Sequence, residues 1–194
     1  MTLARGQSRA DAVDGVFDTV SLADGRTLIV RTVTEADVEG LDALFEGLSD
    51  EDRYYRFFNL SRPGRKFLEQ MTRAEDDGGY RLVAVVSGTE DSLVAEAGYA
   101  ILPDGNGEFA LTVAPGWRGW LGPYLLDALV AAAAARGVPN LQADILLGNV
   151  RMLALLSNRG YITLDRDQFS EVRVAIDAAQ PRRDPRSRGS PPGR

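Results

Sequence analysis

The residues best placed to do chemistry lie in one run, Glu108-Phe-Ala-Leu-Thr-Val-Ala-Pro-Gly-Trp-Arg-Gly-Trp-Leu-Gly-Pro-Tyr. It reads as a strand that enters a helix through a glycine-containing turn. A helix start presents amide N–H groups that have no intrahelical acceptor, and its dipole favours an anion such as a pyrophosphate. Arg118 brings a charge-assisted donor to the same turn. Glycine also occurs in βα turns for purely steric reasons, so this run alone fixes no function. Strand alternation puts Glu108, Ala110 and Thr112 on one face, with Phe109, Leu111 and Val113 on the other.

Composition narrows what those residues can do. The 194-residue chain has no cysteine and no histidine. Disulfides, thiolate metal sites and a thiol nucleophile are therefore excluded. The commonest general base and metal ligand are missing too, which leaves acid–base work to Asp, Glu, Tyr, Lys, a terminus or water. The net charge is −6, yet the stretch from Arg182 to Arg194 holds five Arg against one Asp, so the body is more acidic than the total. An acidic body argues against a nucleic-acid surface. Met1 to Gly15 contains no apolar run of the signal-peptide kind, and no stretch reaches the ~20 apolar residues of a membrane helix. The expectation is a cytoplasmic monomer or homodimer with neither nucleic-acid nor membrane partners.

The elements that must position the turn follow from periodicity. Val16 to Leu22 and Thr27 to Val33 are β-branched runs around Ala-Asp-Gly-Arg, a hairpin. Thr34, with Asp37 three residues on, starts a helix that carries Val38, Leu41, Leu44, Phe45 and Leu48. Ser49 followed by Asp50-Glu51-Asp52 starts a second, in which Tyr54, Tyr55, Phe57 and Phe58 crowd together. Strands follow at Arg81 to Ser87, Leu93 to Leu102 and Glu108 to Val113, then a helix from about Gly122 to Arg136. A strand Leu141 to Leu147, a helix Asn149 to Arg159 and strands Tyr161 to Leu164 and Phe169 to Ile176 complete the order ββααβββαβαββ. A mixed, mostly antiparallel α/β sheet of about seven strands flanked by about four helices is the natural packing solution. Residues 1–15 read as a flexible N-terminus and 16–178 as one domain. Residues 179–194 form a basic tail with nothing apolar to offset the entropy of ordering.

One strand beyond the turn lies Asn149-Val-Arg-Met-Leu-Ala-Leu-Leu-Ser-Asn-Arg-Gly-Tyr. The two segments together resemble the GCN5-related N-acetyltransferases (GNAT), in which a Gln/Arg-x-x-Gly-x-Gly/Ala turn cradles the pyrophosphate of an acyl-coenzyme A. In that family a later Asn-x-x-Ala/Met helix, closing with Gly-Phe/Tyr, flanks the pantetheine arm. Asn149, Met152, Gly160 and Tyr161 fall on the second pattern. The stretch from Gly47 to Asn59, after a Leu22-Ala-Asp-Gly25 hairpin, looks like the opening helices of bacterial protein lysine acetyltransferases that modify acyl-CoA synthetases.

The resemblance implies acetyl-CoA as acyl donor and an amine as acceptor, most naturally a protein lysine Nε such as one on an acyl-CoA synthetase. It implies cofactor contacts at Leu111, Thr112, Val113, Arg118, Gly119, Trp120, Leu121, Gly122, Pro123, Tyr124, Asn149 and Met152. The backbone of Leu111 to Val113 would hold the thioester carbonyl. Glu108 matches by position the glutamate that related enzymes use as general base, and the family's acid, a Tyr in the Asn-initiated helix, is replaced by Leu156. The turn departs from the pattern as well. Aligned on Arg118, it puts Leu121 and Pro123 where Gly and Gly/Ala belong; aligned on Gly122, it is one residue short. Pro123 has no N–H to give a phosphate. Two further functions stay open on these grounds: a degenerate GNAT domain that binds acyl-CoA or a protein without catalysis, and a small-molecule amine N-acetyltransferase.

Overall fold

The computed structural model describes residues 16–88, 91–160, 163–165 and 170–179. The expected flexible N-terminus, most of the basic tail, Tyr161 and Phe169 lie outside the described residues. Eight strands form one sheet: β1 (Val16–Ser21), β2 (Thr27–Thr32), β3 (Tyr80–Ser87), β4 (Ser92–Ile101), β5 (Gly107–Val113), β6 (Asn140–Leu146), β7 (Thr163–Asp165) and β8 (Glu171–Asp177). Their spatial order is β1-β2-β3-β4-β5-β6-β8-β7, and every neighbouring pair is antiparallel except β5 with β6. Five helices accompany them: α1 (Val38–Glu46), α2 (Asp50–Phe57), α3 (Arg65–Thr72), α4 (Leu121–Ala135) and α5 (Val150–Arg159). The mixed, mostly antiparallel architecture is the expected one.

The local signals explain most of the elements. Gly25 takes φ +86° in the first hairpin, a conformation open to glycine at no steric cost. Asp37 accepts from the Thr34 N–H at 2.7 Å, and Ser49 accepts from the Asp52 N–H at 3.1 Å, so both predicted helix starts are capped. Asn149 caps α5 by accepting from the Met152 N–H at 3.2 Å. β3 is apolar almost throughout because both its faces are covered. On one face Val83 and Val85 meet Leu41, Leu44 and Phe45 of α1 and Leu68 and Met71 of α3. On the other, Leu82, Ala84 and Tyr99 meet Leu125, Leu129 and Ala133 of α4, together with Leu156 of α5.

Helix α3 is the one element the sequence pattern does not reveal. Only Leu68, Met71 and Thr72 are buried in it, too few to print a clear helical period among Arg, Lys, Glu and Gln. It is held instead by docking on α1 and by charge. Arg65 bonds Glu39 at 2.7 Å, while Arg62, just before α3, bonds Glu46 at 2.9 Å and Asp42 at 3.1 Å. Among the described residues no helix is long and apolar enough to cross a membrane.

Candidate functional site

β5 and β6 stay paired only at Gly107–Leu141 and Glu108–Gln142, and then diverge. The β6-facing edge of β5 from Phe109 to Val113 therefore has no strand partner, and a groove of about 2000 Å³ opens along it. The run singled out in the sequence borders this split. Glu108, Leu111, Thr112, Val113, Arg118, Gly119, Gly122 and Pro123 line the groove from one side, with Asn149 and Met152 lining it from α5. A sheet opened at this point exposes backbone donors and acceptors in a sheltered trough, which suits an extended, amide-bearing arm.

The turn into α4 is short. The first backbone bond of the helix runs from the Tyr124 N–H to the Trp120 carbonyl at 3.2 Å, so the Leu121 and Gly122 amides have no acceptor among the described residues. Pro123 supplies none. Gly119 sits at φ +101°, and a Cβ on Gly122 would meet nothing nearer than 3.8 Å. Of the two amides without an acceptor only that of Gly122 belongs to a groove-lining residue, and a Cβ there would make ordinary contacts with Val113, Leu111 and Leu155. Three residues of the expected set turn away from the groove. Leu121 is fully buried in the core, Trp120 packs against that core, and the Tyr124 hydroxyl donates to Asp18 on β1 at 2.6 Å. None of the three lines the groove.

Arg118 is already engaged. Its Nη2 donates to Asp52 of α2 at 2.8 Å and its Nε to the Val113 carbonyl at 3.2 Å. Asp52 also faces Arg151 of α5 at 3.6 Å. Burial pushes the Asp52 carboxyl up, but the bonds from Arg118 and Ser49 outweigh it and hold the group below the ordinary carboxylate range. Close by, Tyr55 lies against Gly148, where a Cβ would come within 2.9 Å of its hydroxyl. Helix α2 therefore spans the mouth of the groove. Of the aromatic residues crowded on it, Phe57 packs edge-on against Phe45 at 5.0 Å, whereas Tyr54 and Phe58 stay exposed.

Deeper in, the structure assembles residues that sequence reasoning missed. Glu96, in the middle of β4, is fully buried and paired with Arg56 of α2 and Arg81 of β3. A charged residue inside the apolar run Leu93 to Ala97 was the available signal. Glu108 stands exposed at the start of β5, on the same face as buried Thr112. Among the described residues no cluster of His, Cys, Asp and Glu is arranged to hold a metal.

No family model matches the chain. It is 27% identical over 164 residues to the acetyltransferase Pat of Mycolicibacterium smegmatis, a match that covers 81% of this chain and 48% of Pat. The chain thus spans about half the length of that curated relative. Among solved structures, it matches the GNAT domain of S. lividans PAT at 29% identity and a TM-score of 0.71, over 82% of this chain and 96% of that one. At the level of fold alone it also matches yncA of Salmonella typhimurium, solved with its cofactor acetyl-CoA. There the identity is 17% and the TM-score 0.62, over 78% and 94% of the two chains. The split sheet, the helix that opens at its head and the likeness to the PAT domain lead to one assignment: this chain has the fold of a GCN5-related N-acetyltransferase (GNAT) domain.

Proposed function

We propose that the chain transfers an acetyl group from acetyl-CoA to an amine, with the Nε of a protein lysine as acceptor. The observation that carries this reading is the split between β5 and β6 with the amide-bearing start of α4 at its head, in a domain 29% identical to that of S. lividans PAT. Acetyl-CoA supplies the activated acyl group as a thioester. In this reading the Gly122 amide and the helix dipole hold its diphosphate. The free β5 edge at Leu111 to Val113 holds the pantetheine amides and the thioester carbonyl, whose developing negative charge the N–H groups stabilise. Asn149 and Met152 form the opposite wall.

An amine of pKa ~10.4 is almost wholly protonated at neutral pH and must lose a proton before or during attack. Glu108, exposed at the rim and lining the groove, takes that proton directly or through a water. The thiolate leaves without a dedicated acid, since a thiol of pKa ~8.5 is already a fair leaving group. Isothermal calorimetry with acetyl-CoA, followed by a CoA-release assay on lysine peptides, tests the reading. Absence of heat and of thermal shift at millimolar acetyl-CoA would remove it.

A further inference from the structure

The inner end of the groove carries more positive charge than it balances. Arg56, Arg81, Glu96 and Thr112 arrive from four elements on one face of the sheet. Glu96 Oε1 accepts from Arg56 Nε and Nη2 at 3.1 Å each and from Thr112 Oγ1 at 2.8 Å. Its Oε2 accepts from Arg81 Nη1. Arg56 Nε also reaches Thr112 Oγ1 at 3.1 Å. One carboxylate therefore answers two guanidiniums, and among the described residues no second carboxylate forms an ion pair with either. Arg81 Nε is buried with no acceptor among the described residues.

Two buried cations sharing one anion is an expensive arrangement, because desolvated charge is ordinarily paired and a removed partner leaves a large penalty. What exposure the two arginine side chains retain is 13% for Arg56 and 10% for Arg81, and both line the groove. Gly98 makes room for the Arg81 guanidinium, since a Cβ there would come within 2.8 Å of the guanidinium carbon, and Gly98 is paired across the sheet with Ala110. Thr112, which touches Arg56, belongs to the strand that borders the split, within the same stretch that the transferase reading assigns to the thioester.

We propose that Arg56 and Arg81 form a carboxylate-binding subsite beside the reacting carbonyl. It deepens the acyl-transfer reading and rests on it. A planar guanidinium pair that keeps some exposure on the groove has the fork geometry that matches a carboxylate. The carboxylate belongs either to the acyl chain of a dicarboxylic thioester such as succinyl-CoA or to an amino-acid-like acceptor. In either case the chemistry is unchanged: the carbonyl–sulfur bond breaks, the carbonyl–nitrogen bond forms, the amine proton goes to the base and the thiolate departs. The carboxylate positions its molecule and exchanges no electrons.

Two comparisons on the full chain separate the sources. In the first, calorimetry and turnover of succinyl-CoA are set against acetyl-CoA with a neutral amine as acceptor. In the second, acetyl-CoA is held fixed and a free amino acid is set against its amide. The expected result is a kcat/KM ratio of at least about tenfold in favour of the carboxylate-bearing member of one pair, equivalent to ~1.4 kcal/mol. Arg56→Gln brings that ratio close to one, while Arg56→Lys keeps part of it. The wild-type ratios decide the matter even where a variant does not fold. Ratios near one in both comparisons, with normal acetyl-CoA binding, overturn the subsite and leave the transferase reading intact. No heat with either CoA ester overturns both.

Discussion

Asp52 accepts from Arg118 at 2.8 Å across the mouth of the groove, so a single carboxylate ties α2 to the turn that starts α4. The folded-state pKa of Asp52 lies below its unfolded value, with burial opposing the shift and Arg118 and Ser49 outweighing it. The stabilisation is therefore present above the unfolded value of ~3.9 and is lost as pH falls through the folded one. Asp52→Asn should cost about 0.5–1 kcal/mol at neutral pH, since the pair is partly solvated, and should flatten the acid side of the stability profile. Urea unfolding at a series of pH values measures both. The same variant releases Arg118 for an anion, so acetyl-CoA should bind more tightly by a few-fold, and an unchanged Kd would show that Arg118 takes no part in its capture.

Glu96→Gln leaves two buried guanidiniums facing a neutral amide. The expected loss is about 3–5 kcal/mol, read from denaturant midpoints. Glu96 itself is pushed up by burial but held lower by Arg56, Arg81 and Thr112, with a net shift downward. Its contribution thus persists above the unfolded carboxylate pKa and disappears only as the medium is acidified through the folded one.

Glu108→Gln should lower CoA release at neutral pH by about 10²–10⁴, with acetyl-CoA affinity little changed. Undiminished turnover would clear Glu108 of the proton-accepting role.

Pro123→Ala adds one amide at the start of α4. A further donor to a charged oxygen is worth about 1.5–3 kcal/mol, so acetyl-CoA affinity should rise by roughly tenfold or more. Calorimetry of the variant against the wild type reads this directly, and no gain would place the diphosphate elsewhere.

Lys66 is the chain's only lysine and sits exposed on α3. Side-chain autoacetylation in acetyl-CoA should therefore appear at Lys66 alone in peptide mass spectrometry and vanish in Lys66→Arg.

Elements with a strong period or cap were legible from the sequence. Ser49 and Asn149 announced their helices, and β5 through α4 read correctly as strand, turn and helix. α3 was hidden because its stability comes from α1, through Leu68, Met71 and pairs such as Arg65–Glu39, and no local pattern reports a tertiary partner. The site divides in the same way. The groove-lining stretch around Gly122 could be seen because backbone donors follow from chain direction. Arg56, Arg81 and Glu96 are 15 to 40 residues apart in sequence, and only the pairing of β3 with β4 and the docking of α2 on the sheet bring them together. Asp52's claim on Arg118 spans 66 residues and could not be anticipated from either neighbourhood.

The two paired positions that join β5 to β6 are also a mechanical seam. Beyond them β6, β8 and β7 stand as a separate leaf of the sheet, stapled to the main body by helix packing and by salt links such as Arg159–Asp127 at 2.8 Å. A molecule lying in the gap and bonding to both leaves acts as mortar between them. Its effect on heat tolerance then grows with its concentration, as for any occupant that prefers the closed joint to the unfolded chain.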